Sequence, residues 1–189
     1  MKKTYLLAAM LLSCSACANA TGYNQDVYLS LGISDHELED IDGYTVSGIF
    51  GARNYYTHNW FIGGEFEAAY IDNEEKLTEG GISYRLKEQY TLAANLPVGK
   101  RFVVSDKVNL DLYGLLGYSV TRLKEKVTGY GEAESRSTHA HGLKWGLGAD
   151  VAFSDYRVGV RWTQADIDSD KLIRELRQED ITLTIGYQF

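Results

Sequence analysis

The chain has 189 residues, with 19 lysines and arginines against 26 aspartates and glutamates, and a formal net charge of −7. This acidic balance argues against nucleic acid as a partner, because a nucleic-acid interface is basic. One proline, 19 glycines and 14 tyrosines are typical of a sheet protein with many aromatic side chains.

The first 20 residues have the layout of a secretory signal peptide. Lys2 and Lys3 form a basic start, a short apolar run follows, and Ala18 and Ala20 make a small-residue cleavage site. We therefore predict a cleaved leader over residues 1–20 and a single mature domain over residues 21–189. Both cysteines lie in the leader, so the predicted mature chain has no thiol for a disulfide, a nucleophile or a metal.

Eight segments of the mature chain alternate apolar and polar residues with period two, the pattern of a strand with two unlike faces. In chain order they cover residues 26–34, 44–56, 60–71, 84–103, 108–123, 141–153, 156–164 and 181–189. No stretch after residue 20 is long and apolar enough for a membrane-spanning helix. A sheet that crosses a membrane must close, because lipid cannot satisfy the hydrogen bonds of an open edge. The expected fold is all-β: an eight-stranded antiparallel, up-and-down transmembrane β-barrel.

Short and long connections alternate between these segments. Turn-forming residues predict tight turns at 57–59, 105–107 and 154–155, whereas residues 35–43, 72–82, 124–140 and 165–179 predict longer loops. In a membrane barrel the longer loops face the cell exterior, and here they are rich in carboxylates. Pro97 falls inside the fourth segment and would remove a ladder hydrogen bond. We expect a bulge at Pro97; the alternative is a turn over residues 97–100.

Alternation alone does not say which face points outward, because a soluble lipocalin-like barrel has the same pattern with its apolar face inside. Most strand glycines fall on the polar phase, and glycine leaves room for long side chains in a narrow lumen. We therefore place the polar phase inside. Aromatic residues of the apolar phase fall in two bands, as in the interfacial girdles of membrane barrels. These aromatic residues are Tyr44, Trp60, Tyr70, Tyr118, Phe153, Tyr156, Trp162, Tyr187 and Phe189.

The inward phase then carries a set of charged side chains: Arg53, Glu65, Glu67, Arg85, Lys87, Asp111, Lys144, Asp150, Arg157 and Arg161. Charges inside a narrow lumen must be paired and hydrogen-bonded, because an isolated buried charge is costly. We predict an ion-pair network in which Glu65 and Glu67 pair with arginines such as Arg157 and Arg161. Side chains fill an eight-stranded lumen, so no open pore is expected.

The last segment, residues 181–189, ends on an aromatic and resembles the C-terminal signature of bacterial outer-membrane barrels, although Thr184 stands where that signature often has glycine. Residues 92–118 and 141–151 resemble hairpins of small outer-membrane barrels of the porin-like, OmpA-transmembrane type. The resemblance implies a location in the bacterial outer membrane, contact with outer-membrane lipid and lipopolysaccharide, and insertion by the barrel assembly machinery. Members include structural proteins, adhesins and lipid A-modifying enzymes, so the fold does not fix the function.

Candidate chemistry is limited to two histidines near the end of a predicted loop. His139 and His141 lie near Ser135 and Ser137, but their spacing does not match the His-x-Ser pair of lipid A deacylases. The two histidines share a strand face, yet two ligands do not make a metal site. We expect no catalytic residue, cofactor or metal. The predicted role is structural or adhesin-like, with an extracellular protein as a candidate partner for the acidic loops. The alternatives are a lipid A-modifying enzyme and a soluble periplasmic barrel that binds an apolar ligand.

Overall fold

The computed structural model describes residues 24–39, 41–73, 75–79, 82–129, 132–168 and 176–189. The predicted leader, residues 1–20, lies outside these ranges. Most of the described residues belong to strands, in which successive side chains point to opposite faces. Within these ranges, no helix has the length and apolar character needed to cross a membrane.

Within the described residues, nine strands and one short 3-10 turn follow each other along the chain. The turn, Thr57–Asn59, joins the second strand to the third. The strands are β1 (Asn24–Leu38), β2 (Ile41–Tyr55), β3 (Trp60–Asp72), β4 (Glu75–Glu79), β5 (Ile82–Ser105), β6 (Val108–Gly129), β7 (Glu132–Phe153), β8 (Tyr156–Asp168) and β9 (Leu176–Gln188).

Antiparallel pairing closes these strands into a barrel. Strand β1 pairs with both β2 and β9, and the wall continues from β9 through β8, β7 and β6 to β5. Both β3 and β4 pair with β5, so the two strands occupy one position in the wall, interrupted after Asp72. The barrel therefore has eight wall positions and no free edge. The predicted eight-stranded antiparallel barrel is confirmed.

The tight turns lie where the sequence predicts them, at residues 57–59, 105–107 and 154–155. The four longer connections differ from the prediction, because many of their residues continue the strands. For example, β6 and β7 pair as far as residues 129 and 132, deep into the segment predicted as a loop over residues 124–140. Hydrogen bonds between the two paired strands satisfy the backbone N–H and C=O groups of these residues, so the strands can continue beyond the predicted segment boundaries.

Pro97 lies within β5 and does not form the predicted bulge. Its pairing with Leu115 of β6 continues the register of the neighbouring pairs, so the alternative turn over residues 97–100 is also wrong. On the β3 side, two pairs opposite Pro97 are missing, and the register is the same before and after the gap. Gly63 faces this gap, and a Cβ atom there would stand 2.9 Å from Pro97 Cγ. Proline has no backbone N–H to donate, and the wall tolerates this because the two residue pairs on the β3 side are not formed and Gly63 leaves space for the ring.

The apolar phase faces outward and the polar phase faces the lumen. Leu31, Ile33 and Leu183 are exposed to 64–66% on the outer surface, although they are among the most apolar residues of the chain. Arg53 and Asp111, on the opposite phase, are completely buried. This arrangement excludes the soluble lipocalin-like alternative, in which apolar side chains would line the cavity.

Candidate functional site

Arg53 of β2 lies at the centre of the lumen and contacts three carboxylates. Its Nη1 atom lies 3.0 Å from Asp111 Oδ2, and its Nη2 atom lies 2.7 Å from Asp150 Oδ2 and 3.5 Å from Glu65 Oε1. The ring centroid of Tyr113 lies 4.5 Å from the guanidinium carbon. A planar guanidinium suits this position because it donates in several directions and stacks on aromatic rings at the same time.

Glu65 and Glu67 project from β3 into the lumen, each toward a different cation. Arg161 of β8 donates to both oxygens of Glu65, at 2.9 and 3.4 Å, and the hydroxyl of Tyr28 donates to the same carboxylate. The Nζ atom of Lys144 lies 2.9 Å from Glu67 Oε2. The structure therefore brings Glu65 to an arginine, as the sequence suggests, but brings Glu67 to a lysine instead.

The sequence interpretation missed two members of this network, Arg101 and Asp26. Arg101 donates to Asp111 Oδ1 at 2.7 Å and to Asp26 Oδ2 at 2.7 Å. The signal was present, because period-two alternation from Asn95 places Arg101 on the inward phase. We call the set of these paired charges among the described residues the lumen network. Its five cations are Arg53, Arg101, Lys144, Arg157 and Arg161, and its five carboxylates are Asp26, Glu65, Glu67, Asp111 and Asp150.

Arg85 and Lys87, which the sequence places in the lumen, lie outside it. A register shift between Glu88 and Tyr90 adds one residue, Gln89, to β5 opposite β6. Because the side-chain period is two, one extra residue exchanges the two faces of the strand beyond it. Glu88 is consequently buried inside, whereas Arg85 is exposed and Lys87 lies 3.4 Å from the exposed carboxylate of Asp72.

Glu88 belongs to a second polar cluster nearer the outer end of the lumen. His36 of β1 lies between two carboxylates, with Nε2 2.6 Å from Glu88 Oε2 and Nδ1 2.7 Å from Asp180 Oδ1. The side chain of Asn73 also donates to Glu88. His36 lies one residue beyond Asp35, the cross-strand partner of Tyr44 in the outer aromatic band.

An imidazole that donates to two carboxylates must carry both protons. Burial disfavours the charged form, but the hydrogen bonds to Asp180 and Glu88 outweigh it and raise the pKa of His36 from its ordinary value of 6.5 to about 9. His36 is therefore a fixed cation at neutral pH, and it links three strands, β1, β5 and β9.

Apolar side chains close the barrel beyond the His36 cluster. A buried cluster there contains Leu38, Leu123, Ala140, Ala165, Ile167 and Leu176. Ile41 and Leu86 pack against it. At the opposite end, Phe61 is completely buried against Tyr55 and Tyr113, with ring centroids 5.4 and 6.3 Å away. Aromatic and charged side chains mix at this end, where the Arg53 Cζ atom lies 4.8 Å from the centroid of the Phe61 ring.

The predicted interface aromatics lie on the outer surface at two levels. Trp60 and Tyr70 lie ten residues apart on β3, which is about 25 Å along the barrel axis for a strand tilted by about 40°. That distance matches the apolar band of a membrane barrel. At the turn end are Trp60, Phe153, Tyr156, Tyr187 and Phe189; at the other end are Tyr44, Tyr70, Tyr118 and Trp162. We call the wall beyond this second group the outer extension.

The family defined as the outer membrane protein beta-barrel domain matches residues 6–189. The chain belongs to this family. Together with the outward apolar band, this membership assigns the protein to the bacterial outer membrane. No match was found among curated protein sequences.

Solved structures with a similar fold are also outer-membrane barrels. The Yersinia pestis attachment invasion locus protein Ail, in complex with the heparin analogue sucrose octasulfate, is 18% identical over 89% of this chain and 100% of Ail, with a TM-score of 0.51. Neisserial surface protein A is 10% identical over 89% of this chain and 100% of its own, with a TM-score of 0.48. The outer membrane enzyme PagL is 15% identical over 86% and 98% of the two chains, with a TM-score of 0.46. At these identities the likeness concerns the fold alone.

In this outer-membrane barrel, His139 and His141 lie on the outer face of the wall. Both are exposed on β7, and the imidazole of His141 stacks on Tyr118 with centroids 5.9 Å apart. Ser135 and Ser137 lie farther out on the same face. In the described ranges, no group of three or more histidine, cysteine or acidic side chains has an arrangement that could hold a metal ion.

Proposed function

We propose that this protein is a non-enzymatic outer-membrane barrel that does not conduct ions and acts through its outer extension at the cell surface. The observation that carries the proposal is the filling of the lumen. The five cations and five carboxylates of the lumen network pair with one another there, and the apolar cluster that contains Leu38 closes the lumen on the side of the outer extension. An ion would have to break several buried pairs to pass, at several kcal/mol for each pair broken.

The outer extension supports a role in surface interaction. Strand β6 continues for eleven residues from Tyr118 to Gly129, which corresponds to about 25–30 Å beyond the aromatic band for a tilted strand. A wall that projects so far from the bilayer presents exposed side chains on a rigid ladder, which orders the binding surface before a partner arrives. An extracellular protein and lipopolysaccharide are the partners that such a surface can reach.

The proposal includes the route to the membrane. Residues 1–20 act as a cleaved leader, residues 21–189 form the barrel, and the barrel assembly machinery inserts it. The exposed apolar side chains of Ile181, Leu183 and Ile185 support insertion of this strand into a membrane.

Conductance tests the closed lumen. The purified mature chain, reconstituted into planar bilayers, should give no channel steps. The Arg53→Ala variant should give small or intermittent openings, because it removes the central guanidinium and leaves Asp111 and Asp150 with fewer cationic partners. Stable openings of the unsubstituted protein would contradict the closed lumen.

Lipid A analysis tests the absence of enzyme activity. Lipid A extracted from cells that express the protein should have the same mass spectrum as lipid A from cells with an empty vector. A change in acyl chains that disappears in the His139→Ala/His141→Ala variant would establish the enzyme alternative instead.

A hairpin truncation tests the surface role. Residues 125–136 can be replaced by Asn-Gly, which joins Lys124 to Ser137, a cross-strand pair, through a two-residue turn. Expressing bacteria should lose adhesion to epithelial cells or to immobilised heparin, while the folded barrel still migrates faster when unboiled. A matched control keeps the length and composition of residues 125–136 but permutes their order. Equal adhesion by the truncated protein would remove this hairpin from the interaction surface.

A further inference from the structure

Lys100 lies on the lipid-facing wall of the barrel. It belongs to the outward phase of β5, and every other outward side chain of β5 from Tyr90 to Phe102 is apolar or aromatic. Its cross-strand partners are Trp60 of β3, from the aromatic band at the turn end, and Leu112 of β6. A charged side chain on the lipid face destabilises a barrel. A favourable contact must offset this cost.

Two aromatic rings position the Lys100 ammonium but provide no counter-ion. Its Nζ atom lies 5.8 Å from the ring centroid of Trp60 and 5.6 Å from that of Phe102. Within the part of the chain that the structure describes, Lys100 forms no ion pair, unlike its neighbour Arg101. An ammonium has three N–H donors, and an aromatic ring accepts them more weakly than an anionic oxygen does. Lys100 is therefore positioned to bind an anionic group outside the chain.

An apolar groove lies beside Lys100 on the same outward surface. Gly114 of β6 forms its floor, and a Cβ atom there would meet nothing within 4 Å. Val98, Leu112 and Leu147 line its sides. The groove has a volume of about 490 Å³, which is within the range of about 300–1,000 Å³ for small-molecule sites. The wall thus has a cation next to a space without side chains.

The position of the groove identifies the kind of molecule that can occupy it. Trp60 marks the turn end of the wall, which is the periplasmic side of a membrane barrel. Val98 and Gly114 pair with each other two residues farther from the turns than Lys100 and Leu112, or about 5 Å closer to the bilayer midplane for a tilted strand. Lys100 therefore lies at the level of the headgroups of the periplasmic leaflet, and the groove lies at the level of the acyl chains.

We infer that this groove binds one phospholipid of the periplasmic leaflet, with its phosphodiester on Lys100 and an acyl chain over Gly114. Lysine recognises phosphate as a compact point charge. The charge of Lys100 favours a headgroup with net negative charge, such as that of phosphatidylglycerol, over a zwitterionic one. The inference goes beyond the proposed function and does not rest on it, because it requires the location in the outer membrane and not a surface partner.

The test uses Trp60 as the reporter of lipid binding. Trp145→Phe/Trp162→Phe leaves Trp60 as the single tryptophan of the mature chain, and the folded protein is titrated in detergent micelles with phosphatidylglycerol brominated on its acyl chains. Quenching of Trp60 gives an apparent Kd. We expect Lys100→Gln to weaken binding about fivefold, the effect of one lysine near an anionic surface. Gly114→Leu should weaken it to a comparable degree, because its side chain removes the contacts of the acyl chain with the groove floor.

Each variant has a matched control. Lys107→Gln removes the same charge in a periplasmic turn, seven residues from Lys100. Gly48→Leu adds the same side chain at the other outward glycine with nothing within 4 Å of its Cβ. In buffer of about 0.1 M ionic strength, Lys107→Gln should change the apparent Kd by less than about twofold, because its charge lies more than a Debye length of about 10 Å away. Gly48→Leu, three wall positions from the groove, should have no effect.

Two further variants and one competitor complete the test. Lys100→Arg should retain most of the binding, because a guanidinium also recognises phosphate, and Gly114→Ala should weaken binding less than Gly114→Leu. Glycerophosphoglycerol, the headgroup without acyl chains, should compete poorly. Faster migration of the unboiled band shows that each variant is folded. Equal weakening by Lys107→Gln and Lys100→Gln, unchanged binding in folded Gly114→Leu, or full competition by glycerophosphoglycerol would each overturn the inference.

Discussion

The strength of the lumen network can be tested at the pair between Glu65 and Arg161. Both side chains are almost completely buried, and Arg161 donates to both carboxylate oxygens. Removing one partner of a buried pair leaves an uncompensated charge, which costs about 3–5 kcal/mol. Removing both partners leaves no such charge and costs much less than the sum.

The two single substitutions should differ in size. In the described residues Arg161 forms its ion pair with Glu65, so Glu65→Gln should cost about 4–5 kcal/mol in unfolding free energy. Arg161→Met leaves Glu65 with the Tyr28 hydroxyl and with Arg53 at 3.5 Å, so its cost should lie near 3 kcal/mol. The double variant should lose about 3–5 kcal/mol, which gives a coupling of at least about 2 kcal/mol.

Urea titration in lipid vesicles measures these values. Tryptophan emission and the fast-migrating unboiled band report the folded barrel, and Lys107→Met, in an exposed turn, serves as the control, with an expected change within about 0.5 kcal/mol. Additive costs in the double variant would refute the reasoning. So would an unchanged midpoint in Glu65→Gln, because both results would mean that the lumen solvates its charges with water instead of pairing them.

Two more predictions follow from the lumen and the wall. Because the folded pKa of His36 is raised to about 9, its stabilisation is complete below pH 6.5 and disappears as the pH rises through 9. The urea midpoint should fall over this window, by an amount equivalent to about 3 kcal/mol, and the profile of His36→Gln should be flat. Gly99→Ala should lower the free energy of unfolding by about 1–3 kcal/mol, because the added Cβ would stand 2.2 Å from a backbone oxygen. Thermal unfolding should therefore occur at a lower temperature. Gly114→Ala, with nothing within 4 Å of its Cβ, is the neutral control.

Period-two alternation predicts the strands and the orientation of the wall, because the polarity of each residue indicates which face of the strand it occupies. Arg53, Asp111 and Asp150 are inward on three different strands, and their burial follows from phase alone. The same rule fails for Arg85 and Lys87, because a bulge at Gln89 inverts the phase and leaves no mark in composition. Bulges depend on how two strands fit together, which a single strand does not reveal.

The cluster around His36 shows a second limit. Its partners Glu88 and Asp180 lie 52 and 144 residues away in the chain. They meet because closure of the barrel brings β9 beside β1 and because the bulge turns Glu88 inward. The residue types did not predict this cluster, because a histidine among acidic residues in a predicted loop is typical of an exposed segment. Pairing across the closed sheet, rather than any local pattern, creates the site.

The types of cation in the lumen network fit its buried position. Four of its five cations are arginines, and Lys144 is the exception. Arginine suits buried pairs, because its weakly hydrated planar fork satisfies several acceptors without water. Arg53 uses this property most fully, because its guanidinium contacts three carboxylates and also stacks on the ring of Tyr113. The interior is therefore built for fixed contacts.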